Sequence, residues 1–533
     1  MHLCELPDDI LCAVLQQCRY DHWNAKTNLK HDIWLLAVCR RWRQLAIPLV
    51  FSVVFVAYGT TVAIGPHHGP LAAEPEADVI MTNLDLVAAA GCAAVVRKVT
   101  VDVIYKANPF PGLRALLEKL RTLAGEWSHV RHLFLGMHPG ARARNDGHVS
   151  PADHETDLRE MVDALAALFP AVRKLQTGGA ENIPFLRELF GSLAGVYADQ
   201  LQELVTDHIT LPHGRWFAQL KRAVLYNDCE HDFELPRMNP DTIEELELLR
   251  FHPNHVWSSF APSDGSQTIE FPRLRHLRMD YSSLLLRADQ RTWVLRFPAL
   301  QKLRIGSPDA EWPMLQHVVL PPRMATIDVS AAPALCQNIV ARESQCANRL
   351  VVRVSRSHMD DPASLATANN ALQMAHQCLA RVLVMKNKLT PLRPEHISCT
   401  TLTALEVTGP MGVDSMLGLI GKLPQLTSLL LRNLQLDDIQ SDISIPASGT
   451  HVLEAPLHTK LRAVSIQITQ HPSPEPAAAV VKYLLLRTPT LARLHTWNVP
   501  VRQVRDFVAE YSAWHPHLAL ASLNMYEPQS LDY

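Results

Sequence analysis

The sequence predicts an α/β protein in which a short N-terminal helical module precedes an elongated repeat array, a solenoid built on a parallel sheet. Three observations support this fold class. Residues 1–57 contain two apolar stripes with helical spacing. From about residue 78 onward, a six-residue unit, apolar-x-x-apolar-x-apolar, recurs along the chain. From Leu201 onward most successive copies are about 23 to 35 residues apart, which leaves room for a strand, a helix and two connections.

Length and composition indicate a folded chain with more than one ordinary core. The 533 residues exceed what a single core normally supports. The apolar fraction of 47% and the charged fraction of 19% lie near the average of folded proteins and far from disorder. A formal net charge of -3 gives no general electrostatic reason to bind nucleic acid or an anionic membrane. We therefore expect surface shape to select the partners.

Cysteine usage and the first residues indicate a cytoplasmic and/or nuclear protein. None of the ten cysteines belongs to a C-x-x-C pair, and we interpret them as free thiols in a reducing compartment. The N-terminus lacks the basic start and the continuous apolar stretch of a signal peptide. The most apolar segment, residues 46–58, is shorter than the ~20 residues that a membrane-spanning helix needs.

The first apolar stripe begins after Leu6-Pro7-Asp8-Asp9. Proline at a first-turn position gives up no needed N–H, and two acidic residues complement the positive end of the helix dipole. Apolar residues then follow with helical spacing: Ile10, Leu11, Val14, Leu15 and Cys18. The pattern predicts a short amphipathic helix.

The second stripe lies after a polar stretch and ends at Pro48, which cannot continue a helix interior. Its apolar residues are Leu35, Leu36, Val38, Cys39, Trp42, Leu45 and Ala46. Two short helices with wide apolar faces cannot bury those faces completely against each other, so part of the stripe is expected to be available to a partner.

These two halves, Leu-Pro-x-x-Ile-Leu and the later Val-Cys-Arg-Arg-Trp, resemble the F-box signature. The resemblance covers roughly 50 residues and implies docking to the Skp-type adaptor of a cullin-RING ubiquitin ligase. The residues that it places at the adaptor contact are Leu6, Pro7, Ile10, Leu11, Val14, Leu15, Val38, Cys39 and Trp42. Two alternatives remain open: the helices cap the rest of the protein, and Trp42 fills an internal core rather than touching a partner.

Twelve copies of the six-residue unit follow a linker at residues 58–77 and occupy the region 78–533. They begin at Val96, Val130, Val172, Leu201, Ile243, Leu274, Leu300, Met324, Leu402, Leu426, Leu461 and Leu491. Several are preceded by an aromatic residue or leucine and then proline, at an offset that predicts one recurring turn. Helix-like runs lie between copies at residues 113–123, 157–169, 183–193 and 477–486.

The spacing predicts parallel strands, and the Leu-x-x-Leu-x-Leu pattern resembles a leucine-rich repeat. Stacked repeats would share a core and line up their strands on one wall. The polar pairs between the apolar anchors, such as Arg275-His276 and Gln301-Lys302, then form either a recognition surface or a solvated sheet face. The wall as a whole is our candidate for capture of a protein target.

Known catalytic and metal-binding motifs are absent from the sequence. There is no H-E-x-x-H, no phosphate-binding G-x-x-x-x-G-K-S/T and no G-x-S-x-G elbow, and only His67-His68 is considered as a weak metal ligand. We therefore expect no cofactor and no enzyme activity.

The leading hypothesis is a substrate-recognition adaptor of a ubiquitin ligase. Its partners would be a Skp-type adaptor, the cullin-RING ligase beyond it and a protein target of unknown identity. A leucine-rich-repeat-like scaffold unconnected to ubiquitin is the alternative, and a solenoid enzyme is a remote third.

Overall fold

A computed structural model describes most of the predicted array and part of the N-terminal module. The described residues are 7–11, 39–59, 80–105, 109–139, 155–178, 184–207, 216–226, 237–249, 260, 268–280, 294–307, 318–331, 346–353, 371–386, 399–436, 456–469, 475–512, 516–517 and 522–526. They fall into two compact units, Met1–Ser266 (the N-terminal unit) and Gln267–Tyr533 (the C-terminal unit).

The N-terminal unit contains helices and a mainly parallel sheet. In chain order its elements are a helical segment at residues 8–11, α1 (Arg40–Val50), β1 (Val53–Tyr58), β2 (Ile80–Thr82), α2 (Leu84–Ala89), a 3₁₀ turn (Ala93–Val95), β3 (Lys98–Tyr105), α3 (Phe110–Leu123), β4 (His132–Pro139), α4 (Glu155–Leu168), β5 (Lys174–Gly178), α5 (Pro184–Val196), β6 (Glu203–Asp207), β7 (Trp216–Phe217), β8 (Arg222–Tyr226), β9 (Arg237–Met238) and β10 (Glu245–Leu249).

The C-terminal unit is built in the same way with fewer helices in its first half. Its elements are β11 (Thr268–Glu270), β12 (His276–Asp280), β13 (Val294–Arg296), β14 (Lys302–Ser307), β15 (Val318–Val319), β16 (Arg323–Ala331), β17 (Cys346–Arg353), a helix at residues 371–377, β18 (Val382–Lys386), β19 (Ala404–Val407), β20 (Met411–Gly412), α6 (Val413–Lys422), β21 (Ser428–Gln435), β22 (Ala463–Ile468), α7 (Glu475–Arg487), β23 (Arg493–Trp497), α8 (Val501–Tyr511) and β24 (Ser522–Tyr526).

Strands of the main sheet pair in parallel and in chain order. In the N-terminal unit the order is β1, β3, β4, β5, β6, β8, β10, and the short β2 pairs antiparallel with β1. In the C-terminal unit it is β12, β14, β16, β17, β18, β19, β21, β22, β23, β24. The predicted α/β class with a large parallel sheet is confirmed.

Every one of the twelve predicted copies coincides with a strand of the main sheet. The first two positions of each copy are buried and apolar, and the buried third position is apolar in nine copies and threonine in three (Thr177, Thr206 and Thr496). In the copy that contains β10, Ile243, Leu246 and Leu248 are fully buried. Most of the residues that alternate with them are half-buried or exposed, and they form the other face of the sheet, which we call the polar face. The four predicted helical runs correspond to α3, α4, α5 and α7.

One backbone carbonyl in most repeats accepts two hydrogen bonds from the next repeat. The carbonyl of Arg97 accepts from the N–H groups of Arg131 (2.8 Å) and His132 (3.0 Å), and the carbonyl of Arg275 accepts from Gln301 and Lys302 at 2.9 Å each. Equivalent shared acceptors are Ser52, Arg131, Arg173, Gln202, Lys221, Gln301, Arg381, Thr403, Thr427 and Arg462. The connection fixes the register of successive strands through main-chain hydrogen bonds, and at Arg381 and Thr403 a threonine hydroxyl also donates to the shared carbonyl.

The predicted recurring turn is also present. Its first residue is buried, proline often follows, and the carbonyl of the first residue accepts from the N–H three positions later, as in a β-turn. The N···O distances are 2.9 Å from Leu426 to Leu423 and 3.1 Å from Leu491 to Thr488. In the C-terminal unit the first residues of two such turns, Phe271 and Phe297, stack with ring centroids 5.1 Å apart.

His458 occupies the first position of this turn in the repeat before β22 and is 5% exposed. Its Nδ1 accepts from the N–H groups of Lys460 (3.0 Å) and Leu461 (2.9 Å), so the proton resides on Nε2, which donates to the carbonyl of Leu423 at 2.8 Å. The imidazole therefore joins the turns of two successive repeats.

We expect His458→Ala to lower the free energy of unfolding by about 2–4 kcal/mol, because three hydrogen bonds are lost and a buried N–H is left without an acceptor. Urea denaturation of the full chain measures this loss. His458→Asn, whose side-chain oxygen can still accept, should recover part of the stability. Equal stability of His458→Ala and wild type would contradict the role given to the imidazole.

Candidate functional site

The helical segment at residues 8–11 presents one apolar side chain to solvent and buries its neighbour. The N–H of Leu11 donates to the carbonyl of Pro7 at 2.9 Å, which closes a helical turn. Pro7 is exposed, Ile10 is 47% exposed, and Leu11 is completely buried. An exposed isoleucine on a helix that is anchored by the following leucine is a candidate contact for a partner.

Helix α1 begins at Arg40, within the predicted second stripe, and continues to Val50, two residues beyond Pro48, where the sequence predicted its end. Cys39 is its N-cap, and the cysteine Sγ accepts from the N–H of Trp42 at 3.4 Å. Trp42 is 6% exposed and therefore fills an internal site in this structure. Arg41 bonds the carboxylate of Asp8 through Nε at 2.9 Å and through a second guanidinium nitrogen. This pair holds the first helical segment beside α1, although both side chains are accessible enough that the pair adds ~1 kcal/mol or less.

The nine residues predicted at the adaptor contact thus have different positions. Pro7 and Ile10 are exposed, Cys39 is half-buried, and Leu11 and Trp42 are buried. The other four lie outside the described residues: Leu6, Val14, Leu15 and Val38. The described part of the candidate docking surface is therefore centred on Ile10 and Pro7.

Helix α1 leads directly into the sheet. The N–H of Phe51 donates to the carbonyl of Ile47, and β1 follows at once and pairs in parallel with β3. The carbonyl of Ser52 is the first shared acceptor of the array, bonding Arg97 and Lys98. The sheet therefore starts within residues 1–57, before the predicted linker at 58–77, most of which lies outside the described residues.

The polar face of the N-terminal unit carries bases and acids on neighbouring strands. Lys174 Nζ lies 2.7 Å from Glu203 Oε2, and Arg222 Nε lies 3.0 Å from Glu245 Oε2. A second contact, Arg222 to Glu203 at 3.8 Å, links the two pairs. The four side chains form a ladder across β5, β6, β8 and β10 in which each charge has an opposite neighbour.

His132 lies at the start of this row, between Lys98 and Lys174 on the adjacent strands. Burial and then the two lysine charges lower the pKa of His132 from 6.5 to about 3, while a hydrogen bond with Gln176 opposes the shift. The imidazole is therefore neutral at physiological pH.

We expect His132 to make the fold acid-sensitive. Between pH 6.5 and about 3 the unfolded chain binds a proton at this residue that the folded chain does not, so stability falls as the pH falls through that window. At pH 5 the loss is roughly 2 kcal/mol. Urea unfolding of wild type and His132→Gln at pH 7 and pH 5 should show a smaller drop for the variant. Identical drops would show that His132 contributes no such linkage.

The polar face of the C-terminal unit has a different charge pattern. Arg353 bonds the carboxylate of Asp328 with Nε at 2.8 Å and NH2 at 2.7 Å, and Arg304 approaches the same carboxylate at 3.8 Å. The Asp328 side chain is only 11% exposed. Asp328 and Arg304 each lie between the second and third apolar residues of their repeat unit. Arg353 follows directly after the last buried apolar residue of β17. The sequence-based prediction named the polar pairs between the first and second apolar residues. Side-chain alternation along a strand also places Asp328 and Arg304 on the polar face, and this signal could have identified them.

The described residues contain neither a metal-binding cluster nor, at Cys378, a reactive thiol. Within those ranges no group of three or more His, Cys, Asp and Glu side chains is arranged to hold a metal ion. His67 and His68 lie outside them. Burial raises the pKa of the Cys378 thiol to about 11, which keeps it protonated and unreactive. Of the helices that the structure describes, none combines the length and apolar character needed to cross a membrane.

Comparison of the chain with models of known protein families gave no match, and no curated protein matched it significantly.

Proposed function

We propose that the chain is the substrate-recognition adaptor of a Skp/cullin/F-box-type ubiquitin ligase. Its N-terminal helices dock to the Skp-type adaptor, and a leucine-rich-repeat-like solenoid binds the protein to be ubiquitinated. The chain supplies no catalytic residue. Its contribution is proximity, since holding target and transfer enzyme in one assembly raises their effective concentration.

The observation that carries the docking half of the proposal is the exposure of Ile10. An apolar residue that is 47% exposed, beside exposed Pro7 and buried Leu11, gives a small apolar surface on a fixed helix. These residues also lie in the Leu-Pro-x-x-Ile-Leu segment that resembles the F-box. The ion pair between Arg41 and Asp8 supports the two helices in one orientation.

The recognition half is supported by the order of the strands. Parallel pairing of successive strands, repeated connection through a shared carbonyl and a common turn are what stacked repeats require. Each unit then offers a broad polar face made from many strands. Extended repeat surfaces of this kind suit the capture of a protein target.

The direct test is complex formation between the purified full chain and a purified Skp-type adaptor, followed by size-exclusion chromatography with mass measurement. We expect a stable complex containing one copy of each. A full chain that folds and forms no complex would overturn the docking assignment and favour the alternative, a leucine-rich-repeat-like scaffold unconnected to ubiquitin.

A further inference from the structure

Three arginines stand in consecutive repeats of the N-terminal unit, each directly before a strand of the main sheet. We call Arg97, Arg131 and Arg173 the arginine rim, and they precede β3, β4 and β5. All three are shared acceptors: the N–H of Arg131 donates to the carbonyl of Arg97, and the N–H of Arg173 donates to the carbonyl of Arg131, at 2.8 Å each. These bonds hold the three residues side by side along one edge of the sheet, with about 4.8 Å between neighbouring strands.

Backbone carbonyls hold two of the three guanidinium groups in place. Arg97 Nη1 donates to the carbonyl of Ala94 at 2.7 Å. Arg131 Nη1 donates to the carbonyl of Ser128 at 2.8 Å and to that of Ala171, in the turn before the next strand, at 3.2 Å. A guanidinium group has further N–H donors on Nε and Nη2. Each of these two side chains is therefore oriented through one nitrogen and keeps donors for a ligand.

The charges of the arginine rim have no counter-charge within the fold. In the part of the chain that the structure describes, no carboxylate forms an ion pair with any of the three guanidinium groups. Arg97 and Arg173 are exposed, and Arg131 is half-buried. Glu126 and Asp199 are exposed in nearby turns but form no ion pair with the rim. The rim therefore presents three positive charges that remain available to an anionic partner.

The run of basic residues is particular to these three repeats. The next residues at the equivalent position of the N-terminal unit are Gln202, Lys221 and Glu244. Among the shared acceptors of the C-terminal unit, basic residues do not follow one another in consecutive repeats: Arg275 is followed by Gln301, and Arg381 by Thr403. Because the backbone connection also forms with uncharged side chains, stacking of the repeats does not require three arginines in succession.

Building on the proposed function, we propose that the arginine rim binds an acidic segment of the target protein. The planar guanidinium group matches a carboxylate with two parallel hydrogen bonds. The carbonyl contacts of Arg97 and Arg131 orient these side chains before a ligand arrives, which reduces the entropy lost on binding. Residues of the polar face follow the rim directly along each strand, so a target held at the rim can extend onto that face.

The dimensions of the arginine rim favour a short polypeptide over a nucleic acid. Three strands at about 4.8 Å spacing span roughly 10 Å, which an extended chain crosses in about three residues. A run of three or four glutamate or aspartate residues therefore matches both its length and its charge. Strong nucleic-acid binding relies on about six to ten phosphate contacts, which three arginines do not supply. The net charge of -3 also gives no wider attraction for a nucleic acid.

The test measures fluorescence anisotropy of a fluorescein-labelled peptide with four consecutive glutamates, titrated with the full chain. We expect the wild type to bind this peptide in a salt-dependent manner and to bind a peptide with glutamine in place of glutamate much more weakly. The double variant Arg97→Glu, Arg173→Glu should lose affinity by about tenfold or more. Arg97→Gln, Arg173→Gln removes charge without reversing it and should show a smaller loss, which keeps the test valid if the first variant fails to fold.

A matched control makes the same change in net charge elsewhere in the N-terminal unit. Arg121→Glu, Arg159→Glu reverses two exposed charges on α3 and α4 and should leave peptide affinity within about twofold of wild type. Equal loss in this control, equal binding of the glutamine peptide, or unchanged binding by the rim variants would overturn the proposal. Tighter binding of a single-stranded RNA than of the acidic peptide would do the same and would assign the rim to nucleic acid.

Complex formation with the Skp-type adaptor, measured on the same samples, separates this proposal from the one on which it rests. Peptide binding without an adaptor complex would overturn the ligase function and leave the acidic-peptide site supported. An adaptor complex without peptide binding would overturn the role of the arginine rim alone.

Discussion

An Ile10→Asp variant is expected to lose about 100-fold or more in affinity for a Skp-type adaptor while its thermal stability stays near that of wild type. Ile10 is 47% exposed, so aspartate remains hydrated in the free protein. In the proposed complex the same carboxylate would be buried against an apolar surface, at a cost of several kcal/mol. Isothermal titration calorimetry measures the affinity, and differential scanning fluorimetry measures the stability.

Two further variants make this result specific. Val196→Asp places the same charge at another exposed apolar residue, 53% accessible on α5, and should bind the adaptor normally. Leu11→Asp is a poor probe of docking, because Leu11 is fully buried and the charge would first disturb the packing of the N-terminal segment. Wild-type affinity in Ile10→Asp would contradict the proposed contact.

Replacing Phe297 by alanine is expected to destabilise the C-terminal unit by about 3–5 kcal/mol. The ring is fully buried and stacks on Phe271, with an interplanar angle of 24°. Alanine leaves a cavity and also removes the ring contact, which is worth roughly 1 kcal/mol. Urea unfolding followed by intrinsic fluorescence provides the measurement.

Val319 offers a control, because it lies on β15, which pairs in parallel with β13 just before Phe297. The N–H of Phe297 donates to the Val319 carbonyl at 3.1 Å, but the valine side chain is 48% exposed. Val319→Ala should therefore change the free energy of unfolding by about 0.5 kcal/mol or less. A loss below about 1 kcal/mol in Phe297→Ala would show that this stack is not a supporting part of the core.

Twelve main-sheet strands were predictable from the repeat unit, including β5, β6 and β23, whose third position holds a threonine. Strands β1 and β24 were not among the predicted copies. Strands β8, β17 and β18 escaped prediction because a buried alanine takes one of those positions. The residues concerned are Ala223, Ala347 and Ala380. Alanine is common on surfaces as well as in cores, so a pattern defined by large apolar residues does not include it. The position is nevertheless buried, as it is in the other repeats.

The candidate docking residues could be predicted as a set but not individually. Helical periodicity places Ile10 and Leu11 on one apolar stripe, yet the structure exposes the first and buries the second. Which part of a stripe packs internally depends on the neighbouring element, here α1 with its Arg41 contact to Asp8. Tertiary contacts of this kind have no local sequence signal. The same holds for His458, whose three partners lie in two repeats.

The shared carbonyl has a consequence for how this protein can change over evolution. Because the two hydrogen bonds join main-chain atoms, they form whichever side chain stands at that position, and it is arginine, lysine, glutamine, serine or threonine in different repeats. Mutation can therefore change the charge and polarity of the side chains that precede the strands, one repeat at a time. The spacing of the strands stays constant. A new binding preference can arise there without a new fold.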